Sequence, residues 1–233
     1  MTALWLSRAR LRRDTAAVGS LARLLVPDGA GPRTAAAHRL VWALFADAPE
    51  RTRDFLWREE APGRFMALSA RPPTPMPGLF DVEAKPFEPV LAAGDRLAFS
   101  LRANAVVSHG TGPGVRGTRH DVVMDALHAL PAGERAGARL GAVEGAGRAW
   151  LARQGAAHGF APADGVAVDG YETVRIPRDP GVRDRRAEAL RFGQLDFTGL
   201  LTVSDPVRFL AAVTSGFGRA RAFGCGLMLI RRA

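Results

Sequence analysis

Residues 96–107 (RLAFSLRANAVV) alternate Leu97, Phe99 and Leu101 with Ala98, Ser100 and Arg102. Successive side chains on a strand point to opposite faces, so this stretch has one apolar face to bury and one more polar face. A single strand leaves its backbone donors and acceptors unpaired, so the chain must supply partner strands and apolar cover. The rest of the second half offers both. Residues 145–154 (GAGRAWLARQ) read as a short helix, and residues 166–176 and 190–203 contain strand material, with a charged turn over 178–186 between them. Ser204-Asp205-Pro206 is a helix start, with Asp205 as N-cap and Pro206 at the first helical position. Val207, Leu210, Ala211 and Thr214 form the expected inner stripe of that helix, and Gly216 ends it. A glycine-rich loop over 216–226 (GFGRARAFGCG) leads to a last apolar strand, 227–230.

The first half runs strand, helix, strand, strand. Residues 3–11 (ALWLSRARL) predict an opening strand, with Leu4, Leu6, Ala9 and Leu11 set against Trp5, Ser7 and Arg8. Residues 34–45 (TAAAHRLVWALF) predict a helix capped by Thr34, with Leu40, Val41, Leu44, Phe45 and Ala37 on its inner side. Two strand-like runs follow, 54–58 and 64–70, around the turn Ala61-Pro62-Gly63; residues 71–78 are proline-rich and 80–89 extended. Strand, helix, strands, helix, strand is the order of a ferredoxin-like sandwich. The expected fold is therefore α+β: two tandem ferredoxin-like (RRM-like) domains with antiparallel sheets and a C-terminal glycine-rich loop. The boundary falls near 91–94, giving domains 1–92 and 93–233. Residues 108–142, rich in Gly, His and Arg, show no clear period.

The net charge is +9, carried by arginine with Lys85 as the only lysine. A basic balance favours an anionic partner, and the planar guanidinium suits phosphate because it donates two hydrogen bonds at once. The single cysteine, Cys225, rules out an internal disulfide and a multi-cysteine zinc site, and its apolar neighbours make it chemically inert. No apolar run approaches the roughly 20 residues of a membrane helix, and residues 1–11 lack a signal-peptide core. A cytoplasmic protein with no membrane partner is expected.

Of the five histidines (His38, His109, His120, His128 and His158), none pairs with another at H-x-x-x-H spacing, and no metal is expected. His38 falls in the first turn of the predicted 34–45 helix, at the edge of the apolar stripe, with Arg33 and Arg39 nearby. A helix N-terminus attracts phosphate, and a neutral imidazole beside it could pass a proton near neutral pH. The plain alternative is a boundary histidine with a satisfied hydrogen bond. The glycine-rich loop, with Arg219 and Arg221, could bring backbone N–H groups to an anion. It is neither a Walker A loop nor a Rossmann fingerprint; otherwise it is a flexible helix-to-strand turn. Arg116, Arg119 and His120 form a phosphate-contacting loop or a solvated insertion. Arg178, Arg183, Arg185 and Arg186 alternate with Asp179 and Asp184, either as a self-neutralising turn or as a hairpin lying on duplex RNA.

Several stretches together resemble one family. Residues 216–232 (GFGRARAFGCGLMLIRR) look like the glycine-rich loop and last strand of RAMP-type CRISPR proteins, and the nearest form is that of CasE, the repeat-cutting subunit of Cascade. LRAN (101–104) resembles that family's strand at the start of the second domain. AHRLVWALF (37–45) with RDFLWR (53–58) resembles its first helix and next strand, and AWLARQ (149–154) and FTGLLTVSDP (197–206) add to the likeness. The resemblance implies a metal-independent endoribonuclease without a cofactor. Its partners would be the CRISPR precursor RNA repeat hairpin, the mature guide RNA and the other Cascade subunits. The products would be a 2′,3′-cyclic phosphate and a 5′-hydroxyl. The family's catalytic histidine maps onto His38, as general acid or general base. RNA contacts are expected from Arg33, Arg39, Arg102, Arg116, Arg119, Gly216, Gly218, Arg219, Arg221 and Gly224. Some relatives carry a tyrosine three residues before the histidine; this chain has Ala35 there, and its one tyrosine is Tyr171. Two other readings stay open: a non-catalytic guide-RNA-binding subunit on the same fold, and an unrelated α+β enzyme acting on a small anionic metabolite.

Overall fold

A computed structural model of the chain describes residues 3–12, 24–48, 50–110, 117–176 and 189–233, with the single positions 14, 19 and 21. The described residues gather into two compact units: one within Met1–Val90, Val174–Arg191 and Arg221–Leu227, the other within Leu91–Thr173, Phe192–Ala220 and Met228–Ala233. Both carry the ferredoxin-like arrangement of antiparallel strands covered by helices. Among the described residues no helix is long and apolar enough to cross a membrane.

In the first unit, β1 (Trp5–Leu11), α1 (Ala30–Ala43), β2 (Phe55–Ala61), β3 (Arg64–Ser69) and β4 (Phe80–Pro86) follow one another. The sheet order is β2-β3-β1-β4, and the pairings are antiparallel. The apolar side of α1 is the one its periodicity predicts. Ala37, Leu40 and Val41, with Leu44 and Phe45 just past the helix end, pack on Ala9, Leu11, Phe55, Trp57, Phe65, Ala67 and Phe80. Phe45 stacks on Phe55 at 4.5 Å.

Two details of this unit correct the sequence reading. In β1 the core-facing residues are Ser7, Ala9 and Leu11, not Leu4 and Leu6 with Ala9 and Leu11. Strand parity places positions 7, 9 and 11 on one face, so Leu6 cannot share it with Ala9. The helix begins at Ala30, with Gly29 as N-cap, and Thr34 is not a cap. Its hydroxyl donates to the carbonyl of Ala30, one turn back, at 2.8 Å. Pro32 sits within this first turn, where a missing N–H costs nothing. His38 is therefore the ninth helical residue, two turns beyond the N-terminus.

In the second unit the strand foreseen over 96–107 is split. β5 (Arg96–Ala103) is followed by a hairpin of β6 (Val106–His109) and β7 (Thr118–Asp121). Then come α2 (Val122–His128), α3 (Arg139–His158), β8 (Phe160–Pro162), β9 (Ala167–Ile176), β10 (Leu190–Val203), α4 (Pro206–Ser215) and β11 (Met228–Arg232). The sheet runs β11-β5-β10-β8, with β9 also on β10. Leu97, Phe99 and Leu101 are buried as their alternation requires.

Helix α3 is far longer than the ten residues foreseen, because its inner side is partly glycine. A Cβ at Gly147 would meet Val168 Cγ1 at 2.5 Å; a face built by close approach carries no apolar period to read. In α4, Asp205 caps as expected, accepting from Arg208 N–H at 3.0 Å. The buried stripe is Phe209, Ala212 and Val213, whereas Val207 is 79% exposed. The helix has apolar residues on two sides, and the ring of Phe209 against Phe160, 5.4 Å between centroids, decides which is inward.

Candidate active site

His38 stands on the α1 face that meets a short 3-10 turn, Arg221–Phe223. Its Nδ1 lies 2.7 Å from the carbonyl oxygen of Ala222. Trp57, on β2, donates its indole N–H to the same oxygen at 3.1 Å. A carbonyl oxygen only accepts, and it has two lone pairs. Both are used here, so Nδ1 carries the hydrogen and Nε2 presents a lone pair. No described residue hydrogen-bonds to Nε2. The ring is held edge-on to Trp42 at 6.3 Å and tilted on Phe223 at 5.3 Å. Burial pulls the pKa of His38 below the ordinary value of 6.5; the Ala222 carbonyl opposes this, and the charges of Arg53 and Arg39 add to the lowering. The imidazole is thus neutral at pH 7, in one tautomer, with a proton-accepting nitrogen.

The residues that precede the turn are held within the second unit. Gly216 ends α4, donating to the Ala212 carbonyl at 2.8 Å. Arg219 N–H donates to the Asn104 carbonyl at 3.0 Å, and the buried Asn104 side chain donates to the Gly193 carbonyl at 2.7 Å. This is the structural role of the asparagine in the LRAN stretch: it ties β5, β10 and the loop together. Gly218 has φ +72°, and a Cβ there would lie 2.6 Å from the Asn104 carbonyl oxygen. Gly224 has φ +82°, and its Cβ would touch the ring of Trp57 at 3.3 Å. The close backbone approach that the glycines permit is to the chain's own groups. Gly218→Ala is expected to cost about 1–3 kcal/mol of stability through the left-handed backbone alone, more once the carbonyl clash is added. Urea unfolding measures it, and an unchanged midpoint would contradict the packing described.

The other residues expected at the site are distributed as follows. In the first unit, exposed Arg39 adjoins His38, and Arg33, 38% exposed at its side chain, pairs with Glu59 at 3.7 Å. Arg221 opens the 3-10 turn, and Gly224 is buried beyond it. The second unit holds Arg102, Arg119, Gly216, Gly218 and Arg219. Arg102 is committed to Asp196 through two bonds of 2.8 Å. Arg119 lies exposed on β7. Arg116 lies outside the described residues, as do Arg178, Arg183, Arg185 and Arg186. Tyr171 donates to Asp121 at 3.0 Å, and burial, then the Asp121 charge, pushes its pKa up to about 12. Position 35, one turn before His38, carries only a methyl group.

Three participants escaped the sequence reading: Trp57, the Ala222 carbonyl and Arg53. A backbone carbonyl has no sequence signature. Trp57 reads simply as a core residue of a strand. Arg53 is one arginine among many, at the mouth of β2.

A family model described as CRISPR associated protein matches residues 4–232. The CRISPR-associated endoribonuclease Cse3 of Thermus thermophilus is 29% identical over 153 residues, 63% of this chain; the match spans 60% of that relative's length. A solved structure of CRISPR endoribonuclease Cse3 bound to a 19-nucleotide RNA superposes with a TM-score of 0.67 at 25% identity, over 98% of this chain and 99% of the other. The CRISPR-associated protein Cas6e of Escherichia coli shares the fold, with a TM-score of 0.61 at 20% identity over 98% and 100% of the two chains. These matches bear out the CasE resemblance drawn from the glycine-rich C-terminus and the first helix. On the strength of a match that runs from residue 4 to residue 232, the chain belongs to the CRISPR associated protein family.

Proposed function

We propose that the chain is a metal-independent endoribonuclease that cuts CRISPR repeat hairpins in precursor RNA, with His38 as general base. The observation that carries this reading is the His38–Ala222 hydrogen bond, which leaves Nε2 as a proton acceptor beside arginines. RNA brings its own nucleophile. Nε2 removes the proton of a 2′-hydroxyl as that oxygen attacks the adjacent phosphorus in line with the departing 5′-oxygen. The P–O5′ bond breaks, leaving a 2′,3′-cyclic phosphate on one product and, once the leaving oxygen takes up a proton, a 5′-hydroxyl on the other. No water need be activated, so no metal hydroxide is required. Arg33, Arg39 and Arg221 supply phosphate contacts. The Cse3 relatives, one an endoribonuclease by name and one seen with bound RNA, support both substrate and reaction. By the CasE resemblance, the cut guide RNA stays bound and enters Cascade with the other subunits.

The test is incubation of the purified chain with a labelled repeat hairpin in EDTA. Cleavage to a cyclic-phosphate end is expected, and loss of cleavage on chelation would overturn the metal-free mechanism. A bound but intact hairpin would favour a guide-holding subunit, in keeping with the methyl group at Ala35. The pH profile supplies a second check. A base whose pKa is lowered stays unprotonated to lower pH. The acid limb of the rate should therefore be centred below 6.5, the ordinary histidine value. An acid limb centred above 6.5 would contradict the assignment.

A further inference from the structure

We propose that the open side of Trp42 is a stacking platform for one nucleobase of the RNA beside the cut, an inference that rests on the endoribonuclease reading above. The aromatic residues of the first unit lead there. Trp42 follows His38 by one helical turn, and the two ring centroids lie 6.3 Å apart with their planes at 85°. Phe55 meets the same indole edge-on at 5.2 Å. Trp57 and Trp150 are 1% and 2% exposed, whereas Trp42 is only partly buried against the core of the first unit. Its open part lines a cleft of about 520 Å³ together with Ala46, Asp47, Ala48 and Arg51. A large aromatic surface is thus left facing solvent one turn from the proposed general base.

The rim of the cleft selects what fits. Arg51 donates to both oxygens of Asp47, at 2.8 and 3.0 Å. Arg71 takes Asp54 at 2.9 Å and also reaches Asp47 at 3.3 Å. These two guanidinium groups and two carboxylates cancel, so they leave the cleft without net charge. A phosphate gains nothing from such a rim, and Asp47 repels it. An uncharged planar ring gains from the indole, since stacking on an aromatic side chain is worth about 5–150-fold in affinity per base. The ion pairs also hold the rim in place, so the cleft is shaped before RNA arrives. Arg51 spends two N–H groups on Asp47, and its guanidinium has others for acceptors on a base edge. A base and its phosphate are joined by one sugar, so a base seated on Trp42 brings a phosphate to the neighbourhood of His38. Fixing that sugar is also what an in-line attack by its hydroxyl requires.

The test measures binding of the full chain to a repeat hairpin made uncleavable by 2′-deoxyribose along the 3′ side of its stem base. Single abasic replacements are scanned across the same stretch. In the parent, one of them should weaken binding by about 5–150-fold. Trp42→Leu keeps apolar volume against Phe55 but has no ring. It should weaken the intact hairpin by a similar factor and bind the sensitive abasic hairpin as well as the parent does, because the two changes remove one shared contact. Trp42→Met, equally without a ring, takes its place if the leucine variant does not fold. Trp42→Phe should bind the intact hairpin within about threefold of the parent. 2-Aminopurine at the sensitive position should lose fluorescence on binding the parent and keep it on binding Trp42→Leu. A tryptophan that only supports the fold would, on removal, weaken intact and abasic hairpins by the same factor. That result overturns the proposal, as does a scan in which no single base matters. If the parent binds the all-ribose hairpin without cutting it, the endoribonuclease reading fails while the scan still decides Trp42. A parent that binds no hairpin overturns both.

Discussion

His38→Ala is expected to lower the cleavage rate of a repeat hairpin by about 10²–10⁴-fold, the usual worth of a proton-transfer group. The affinity for the uncut hairpin should change by less than about threefold, since Nε2 acts on a proton that moves only during reaction. The loss should lie in kcat under single turnover. His38→Gln is the sharper control. Its amide can still donate to the Ala222 carbonyl, but it has no basic nitrogen. If His38→Gln cleaves like the parent, His38 serves only to hold the turn. If both variants lose affinity in proportion to rate, the residue positions RNA and moves no proton.

Trp57→Ala is expected to be the most damaging single change to the fold, at about 3–5 kcal/mol for deleting a large buried aromatic side chain. The indole is 1% exposed, stacks edge-on to Phe65 at 6.0 Å and lies under Gly224. It also supplies half of the support of the Ala222 carbonyl, so its loss loosens the turn that fixes the His38 tautomer. Trp57→Phe separates these roles. It keeps most of the apolar volume and removes the N–H, whose hydrogen bond is worth about 1 kcal/mol. Urea unfolding of both variants, beside their cleavage rates, measures the split. A Trp57→Ala chain as stable as the parent would show that the turn does not rest on the indole.

Much of the fold was legible because its elements bury one face each. The alternation of Leu97, Phe99 and Leu101 and the spacing of Ala37, Leu40, Val41, Leu44 and Phe45 report burial directly. Asp205 with Pro206 is a local cap that needs nothing from elsewhere in the chain. Reading failed where burial did not follow apolarity. The Gly147 side of α3 packs by having no side chain. The opening of α1 around Pro32 extends the helix beyond its apolar stripe. Helix α4 offers two apolar stripes, and only the neighbours decide between Val207 and Phe209.

The candidate site divides the same way. The sequence by itself determined that His38 would sit at the rim of an apolar helix face, in a basic chain, followed much later by a glycine-rich loop with arginines. Residue type and spacing suffice for that, because helical periodicity is local. Only the tertiary structure decided what His38 can do. Its expected helix N-terminus lies two turns away, so the helix dipole is not what readies it. A carbonyl 184 residues along the chain holds its Nδ1 and leaves Nε2 as the acceptor. Arg53 and Arg39 depress its pKa through space. Hydrogen-bond partners and electrostatic neighbours depend on distance in the folded chain, and sequence separation carries no record of that distance.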